Sequence, residues 1–170
     1  MPIVAVQNAL LQILDNLPMP NGNYLLQAYI TPPDPETDYS NPHAYLWPTR
    51  GHESRNPGDG GAIPRNTGVN TPAGTKPIRH NFEIFVRWYA NNDDPDADAW
   101  FPSIMDSIMW ALRTATDPLV VVDPFTEVNS QLIGIGEDMS YEITVRATTD
   151  EAMNMYDGLI TLPVLEILHA

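Results

Sequence analysis

The chain has 170 residues, of which 22 are acidic and 8 basic, for a net charge of -14, and it contains no cysteine. Affinity for phosphates comes mainly from Lys and Arg neutralising them, so a body this acidic is not a nucleic-acid reader; the missing thiols exclude disulfides and thiolate metal sites and favour an intracellular origin. With 43% apolar residues it suits one domain with its own core, and with neither a basic leader after Met1 nor an apolar run of about 18 residues, a soluble cytosolic product is expected.

Residues 3–16 place Val6, Leu10, Ile13 and Leu14 at three-and-four spacing, with Leu17 following. This predicts an amphipathic helix, ended by Pro18 and Pro20. Residues 24–30 are short, aromatic and apolar, and predict a strand.

Residues 31–77 then hold 9 of the 17 prolines and 6 of the 10 glycines. Structureless connections beyond about 12–15 residues are uncommon inside compact domains and serve as binding arms, lids or linkers. Within this arm, residues 44–47 predict a brief strand and Asn56-Pro57-Gly58-Asp59-Gly60-Gly61 is turn chemistry throughout; the rest reads as extended. Its charge is opposite to that of the body: residues 50–80 carry Arg50, Arg55, Arg65, Lys76 and Arg79 against Glu53 and Asp59, or +3, leaving -17 on the remainder. Arg and aromatic side chains are enriched at interface hot spots, and Tyr39, Tyr45 and Trp47 lie beside these cations. The arm is therefore expected to rest on the acidic face of a neighbouring copy, a head-to-tail contact stronger at low salt.

Beyond Pro77 the period is two: His80, Phe82, Ile84, Val86 and Trp88 alternate with Arg79, Asn81, Glu83, Phe85, Arg87 and Tyr89. This predicts a half-buried strand, its second face made less polar than usual by Phe85 and Tyr89. Residues 91–98 turn the chain. Residues 99–116 return to helical period, burying Phe101, Ile104, Met105, Ile108 and Leu112 and leaving Trp100 and Trp110 off that stripe, for a second contact surface or a broad buried face. Strands are expected at 119–122, 131–135, 139–148 and 159–169, with a bulge or bend at Gly134 and Gly136. Pro163 assigns the last to an edge or a bulge, and an apolar edge there invites cover from another subunit. The sum is an α+β fold, two helices packed on a mostly antiparallel β-sheet, forming a single domain over residues 1–170 with the extended arm at 31–77.

Asp93-Asp94-Pro95-Asp96-Ala97-Asp98 is the one dense ligand cluster. Asp94, Asp96 and Asp98 occupy positions one, three and five of a calcium loop, but Ala99 and Met105 stand where the Gly and Glu of such a loop belong. Carboxylates also gather at helix starts, where free N–H groups and the dipole stabilise them. A divalent-metal-dependent enzyme using Asp93, Asp94, Asp96 and Asp98 is the alternative reading from another class. His43, His52, His80 and His169 are scattered without ligand spacing, and His80, on an apolar strand face, suits a hydrogen-bonded core or interface role. Nothing nominates a nucleophile, a base or a cofactor.

The order of elements, with Ile78-Arg-His-Asn-Phe-Glu-Ile-Phe-Val-Arg-Trp-Tyr as one strand, Trp100-Phe-Pro-Ser-Ile-Met-Asp-Ser-Ile-Met-Trp-Ala-Leu as a helix and Met139-Ser-Tyr-Glu-Ile-Thr-Val-Arg-Ala-Thr as a closing strand, resembles the tail terminator proteins of long-tailed bacteriophages. That resemblance implies a non-enzymatic virion protein, made in the host cytoplasm, that forms a hexameric ring with copies of itself. Such a ring caps the tail tube and docks the neck, and DNA passes through its lumen unread. The long arm departs from the compact members and keeps a neighbouring head-tail connector or a tail tube subunit open. No catalytic residue, cofactor or membrane contact is implied.

Overall fold

The alternation in residues 79–89 belongs to a 17-residue strand, β3 (Thr75–Asn91), paired along its whole length with an equally long antiparallel strand, β7 (Met153–His169). The computed structural model describes residues 3–20, 22, 24–31, 41–53, 75–91, 93–122, 129–147 and 153–169. The pairing sets even residues opposite even ones. Phe82, Ile84, Val86 and Trp88 of β3 and Ile160, Leu162 and Val164 of β7 are therefore buried together on one face.

Around this pair the remaining elements are α1 (Ile3–Leu14), β1 (Gln27–Tyr29), β2 (His43–Glu53), α2 (Ala97–Arg113), β4 (Leu119–Val122), β5 (Asn129–Ile133) and β6 (Ser140–Ala147). The sheet runs β1-β2-β3-β7-β5-β4, with β6 also on β7; every pairing but β1 with β2 is antiparallel. The fold is thus α+β, two helices on a mostly antiparallel sheet. Both helices pack on the even face. α1 buries Val6, Leu10 and Leu14, and Gln7 Nε2 donates to the Leu46 carbonyl at 3.2 Å. α2 buries Phe101, Ile104, Met105, Ile108 and Leu112, the stripe its periodicity predicts. It lies close on β7 because residue 158 is glycine: a Cβ there would collide with the Met105 thioether.

Two expectations are corrected. The arm across 31–77 is not structureless, since β2 and the first residues of β3 run through it and pair with the chain's own sheet. The alternation of Ala44 and Leu46 with His43, Tyr45 and Trp47 is carried past Pro48 by a β-bulge between Pro48 and Arg50, where the Thr49 hydroxyl donates to the Asn81 carbonyl at 3.1 Å. A bulge absorbs an extra residue at the cost of one local irregularity. Residues 32–40 and 54–74, including the Asn56–Gly61 turn sequence, lie outside the described residues.

Nor is the last strand an edge. β7 begins at Met153 and is central, with β3 on one flank and β6 then β5 on the other. Pro163 is tolerated there because Thr161 is the last residue to pair with β6 and Leu165 the first to pair with β5; a residue without an N–H sits where that ladder is interrupted. The chain crosses the same gap at 134–139, the bend expected at Gly134 and Gly136. Gly136 has φ +84°, and a Cβ on it would approach the Arg113 backbone N to 2.9 Å, so the left-handed turn and the close seat on α2 both require glycine.

One polar pair is sealed in the core. His80 Nε2 and Glu166 Oε2 are 2.8 Å apart, with both side chains almost fully buried. This is the hydrogen-bonded core role expected of His80. Removing one member of a buried pair is costlier than replacing both by apolar side chains. His80→Leu, which strands the carboxylate, is expected to lose about 3 kcal/mol in urea unfolding, and His80→Leu/Glu166→Leu to recover at least about 1 kcal/mol of that loss.

Candidate interaction surface

Because the register of every strand is tied to β3 and β7, the odd face of the sheet is laid out in cross-strand rows. Tyr29, Tyr45, Phe85, Leu159 and Glu142 are successive partners across β1, β2, β3, β7 and β6. Beside them run His43, Arg87, Asp157 and Thr144, and on the other side Trp47, Glu83, Thr161 and Ser140. Neither helix packs on this face.

The rows are held by specific contacts. Tyr45 meets Phe85 at 5.1 Å between ring centroids, and Tyr29 stacks on His43 at 5.6 Å and 14°. The Arg87 guanidinium stands 5.1 Å over the Phe85 ring and grips Asp157 by two hydrogen bonds, Nε to Oδ1 at 2.7 Å and Nη2 to Oδ2 at 3.0 Å. A forked pair of this kind fixes geometry as well as charge. The result is a preformed aromatic and charged platform, from which Trp47 emerges half exposed.

The sequence-predicted interface residues divide. Tyr45, Trp47 and Arg79 are brought to this one face. Arg50 and Lys76 contribute backbone to β2 and β3, in register with Asn81 and Leu168. Arg55, Arg65 and Tyr39 lie outside the described residues. No motif in the sequence marks Arg87, Asp157 or Glu166 as a contact residue. Parity could have found Glu166, which shares its face with Leu162 and Val164. The Arg87–Asp157 pair has no local signal, for the partners are 70 residues apart.

Among the described residues, exposed apolar side chains also occur elsewhere, at Val4 and Leu25 and on β4, β6 and α2. β4 is a sheet margin with Val120 and Val122 exposed. β6 pairs only with β7 among the described residues. Trp110 of α2 is 67% exposed beside a groove of about 680 Å³ lined by Ile13, Leu17, Pro18, Asp106 and Arg113, whereas Trp100 turns inward against Trp88 at 6.4 Å.

Two of the aspartates at 93–98, Asp94 and Asp98, are engaged in starting and anchoring α2. Asp94 Oδ1 accepts the Asp96 backbone N–H at 3.0 Å, and Asp98 Oδ1 accepts the Tyr156 hydroxyl at 2.6 Å. Among the described residues no three His, Cys, Asp or Glu side chains group as metal ligands, and no helix is long and apolar enough to cross a membrane. No family model matches the chain, and neither does any curated protein sequence.

Burial, then the hydrogen bond and charge of Asp98, push the Tyr156 phenol up from 10.0 to about 12. The protonated phenol is thus the form that folding favours. Its contribution is complete below the unfolded value near pH 10 and is lost as pH rises through the folded value near 12. The native chain is expected to lose about 1 kcal/mol more stability between about pH 9 and pH 11 than Tyr156→Phe does, measured by urea unfolding at the two pH values.

Proposed function

We propose that this protein is a non-enzymatic structural subunit that assembles into a ring at the head-to-tail junction of a long-tailed bacteriophage, ending the tail tube and joining it to the neck. The observation that carries this reading is a sheet clothed by helices on one side only. Its other side presents Trp47, Tyr45, Phe85 and Arg79 on a rigid frame, and large aromatics with Arg are the side chains that dominate interface energetics. A heterologous contact, in which this face meets a different surface of the next copy, closes a ring. The -14 charge of the chain suits a lumen that lets DNA pass without holding it.

The resemblance to the tail terminators supports the reading through element order alone, and the fold departs from that order in two places: β2 runs through the long connection, and β7 follows the strand at 140–147. A tail tube or connector subunit would use the same platform and would differ in stacking further rings upon the first. The metal-dependent alternative has less support, since the Asp94 and Asp98 carboxylates are already committed to a backbone N–H and a buried phenol.

Native mass spectrometry and negative-stain microscopy of the purified chain test the reading. A closed annulus is expected, of six copies if the resemblance holds. Trp47→Asp is expected to abolish it while changing stability by no more than about 0.5 kcal/mol, as for other exposed positions; reversing Arg55, Arg65 and Arg79 together should weaken it. A chain that never exceeds a dimer, or annuli that persist in Trp47→Asp, would overturn the proposal.

A further inference from the structure

We infer that β6 is a docking edge for a second copy of this chain, the two β6 strands pairing antiparallel across a two-fold axis at Thr144. The strand has β7 on one flank, and its other flank has no strand partner among the described residues. Tyr141 is 41% and Val145 50% exposed, and Glu142, Thr144 and Arg146 are exposed as well. An eight-residue edge carrying exposed apolar side chains is a template for another strand.

The order of its side chains selects the occupant. Tyr141, Ile143 and Val145 share the face of their β7 partners Ile160, Gly158 and Tyr156, while Glu142, Thr144 and Arg146 share the face of Leu159, Asp157 and Met155. With Thr144 opposite Thr144 of the partner subunit, Glu142 faces Arg146 of the partner subunit and Arg146 faces Glu142 of the partner subunit. On the other face Ile143 meets Val145 of the partner subunit. Opposite charges, β-branched pairs and Thr–Thr pairs are the favourable directly opposed combinations in antiparallel sheets.

Neighbouring registers are worse. Sliding by two residues sets Thr144 against one of the charged side chains and breaks both ion pairs. Sliding by four brings Glu142 onto Glu142 of the partner subunit, or Arg146 onto Arg146 of the partner subunit. The strand itself is neutral within an acidic chain, so at this margin two bodies of charge -14 can meet without setting like charges of the two edges against each other. The contact is isologous and is made through the β6 backbone edge, at the margin of the odd face and away from the Trp47, Tyr45, Phe85 and Arg79 side chains that the ring reading uses; where both occur, the two-fold joins two rings.

The test is sedimentation of the full chain at about 0.15 M salt, where repulsion between bodies is screened beyond about 8 Å. A reversible two-fold step is expected. Arg146→Glu or Glu142→Arg alone should weaken it by roughly tenfold or more, and Glu142→Arg/Arg146→Glu, which exchanges the charges, should restore it. Because the chain has no cysteine, Thr144→Cys provides a single thiol that should cross-link two copies on mild oxidation, and adding Arg146→Glu should suppress that cross-link. Circular dichroism melts of each variant establish that it is folded. A folded native chain without the two-fold step, affinity as tight as the native chain's in both single variants, or failure of the exchanged pair to restore pairing would overturn the inference. Annuli in the native chain without any two-fold step would remove this contact and leave the ring reading standing; a β6 dimer with no annulus would do the reverse.

Discussion

Seventeen consecutive register pairs between β3 and β7 are the constraint on which the rest of the molecule depends. Side chains alternate with a period of two, so a single-residue slip would move every core residue of one strand to the opposite face. In the observed register Phe82, Ile84, Val86 and Trp88 coincide with Leu162, Ile160, Gly158 and Tyr156. The glycine in that series is the gap into which Met105 of α2 settles. Sheet register and helix position are thus one decision, taken by residues about 75 positions apart.

Length explains why the helices cover only one side of this sheet. At about 3.3 Å per residue, strands of 17 residues extend roughly 56 Å if flat. α2 and α1, at about 1.5 Å per residue, are roughly 25 and 18 Å long. Two such helices can dress one face at most. The opposite face is left to stabilise itself laterally, which it does through Arg87 bridging Phe85 and Asp157 and through Tyr45 leaning on Phe85. These contacts order the platform before any partner arrives, lowering the entropy that binding must overcome.

Local signals were legible in the sequence wherever neighbours in sequence are also neighbours in space. The stripes of both helices, the alternation of β3, the bend at Gly134 and Gly136 and the core place of His80 all follow from spacing and from residue chemistry. β2 was largely hidden because Pro48 and Gly51 punctuate it as a loop would, and only pairing with β3 through a bulge carries it on. β7 was misplaced for a related reason: Pro163 marks an edge in isolation, and nothing local reveals that β6 and β5 meet the strand on either side of it. The platform residues Arg87 and Asp157 belong to the same class, a contact encoded in register.

The two exposed margins beyond β7 illustrate different ways of living with a free edge. β4 has only four residues, too short a ladder for a stray strand to gain much from it, and so its exposed Val120 and Val122 are tolerated without charge. β6 is twice as long and carries a glutamate and an arginine four residues apart. Charges on an edge ordinarily deter pairing, because an arbitrary incoming strand leaves them against apolar or like-charged neighbours. Opposite charges placed symmetrically about a central threonine deter every strand but one whose own charges run in the mirrored order. The device that keeps this edge from aggregating is therefore also what makes it selective, and selectivity of that kind separates an assembly edge from an unprotected one.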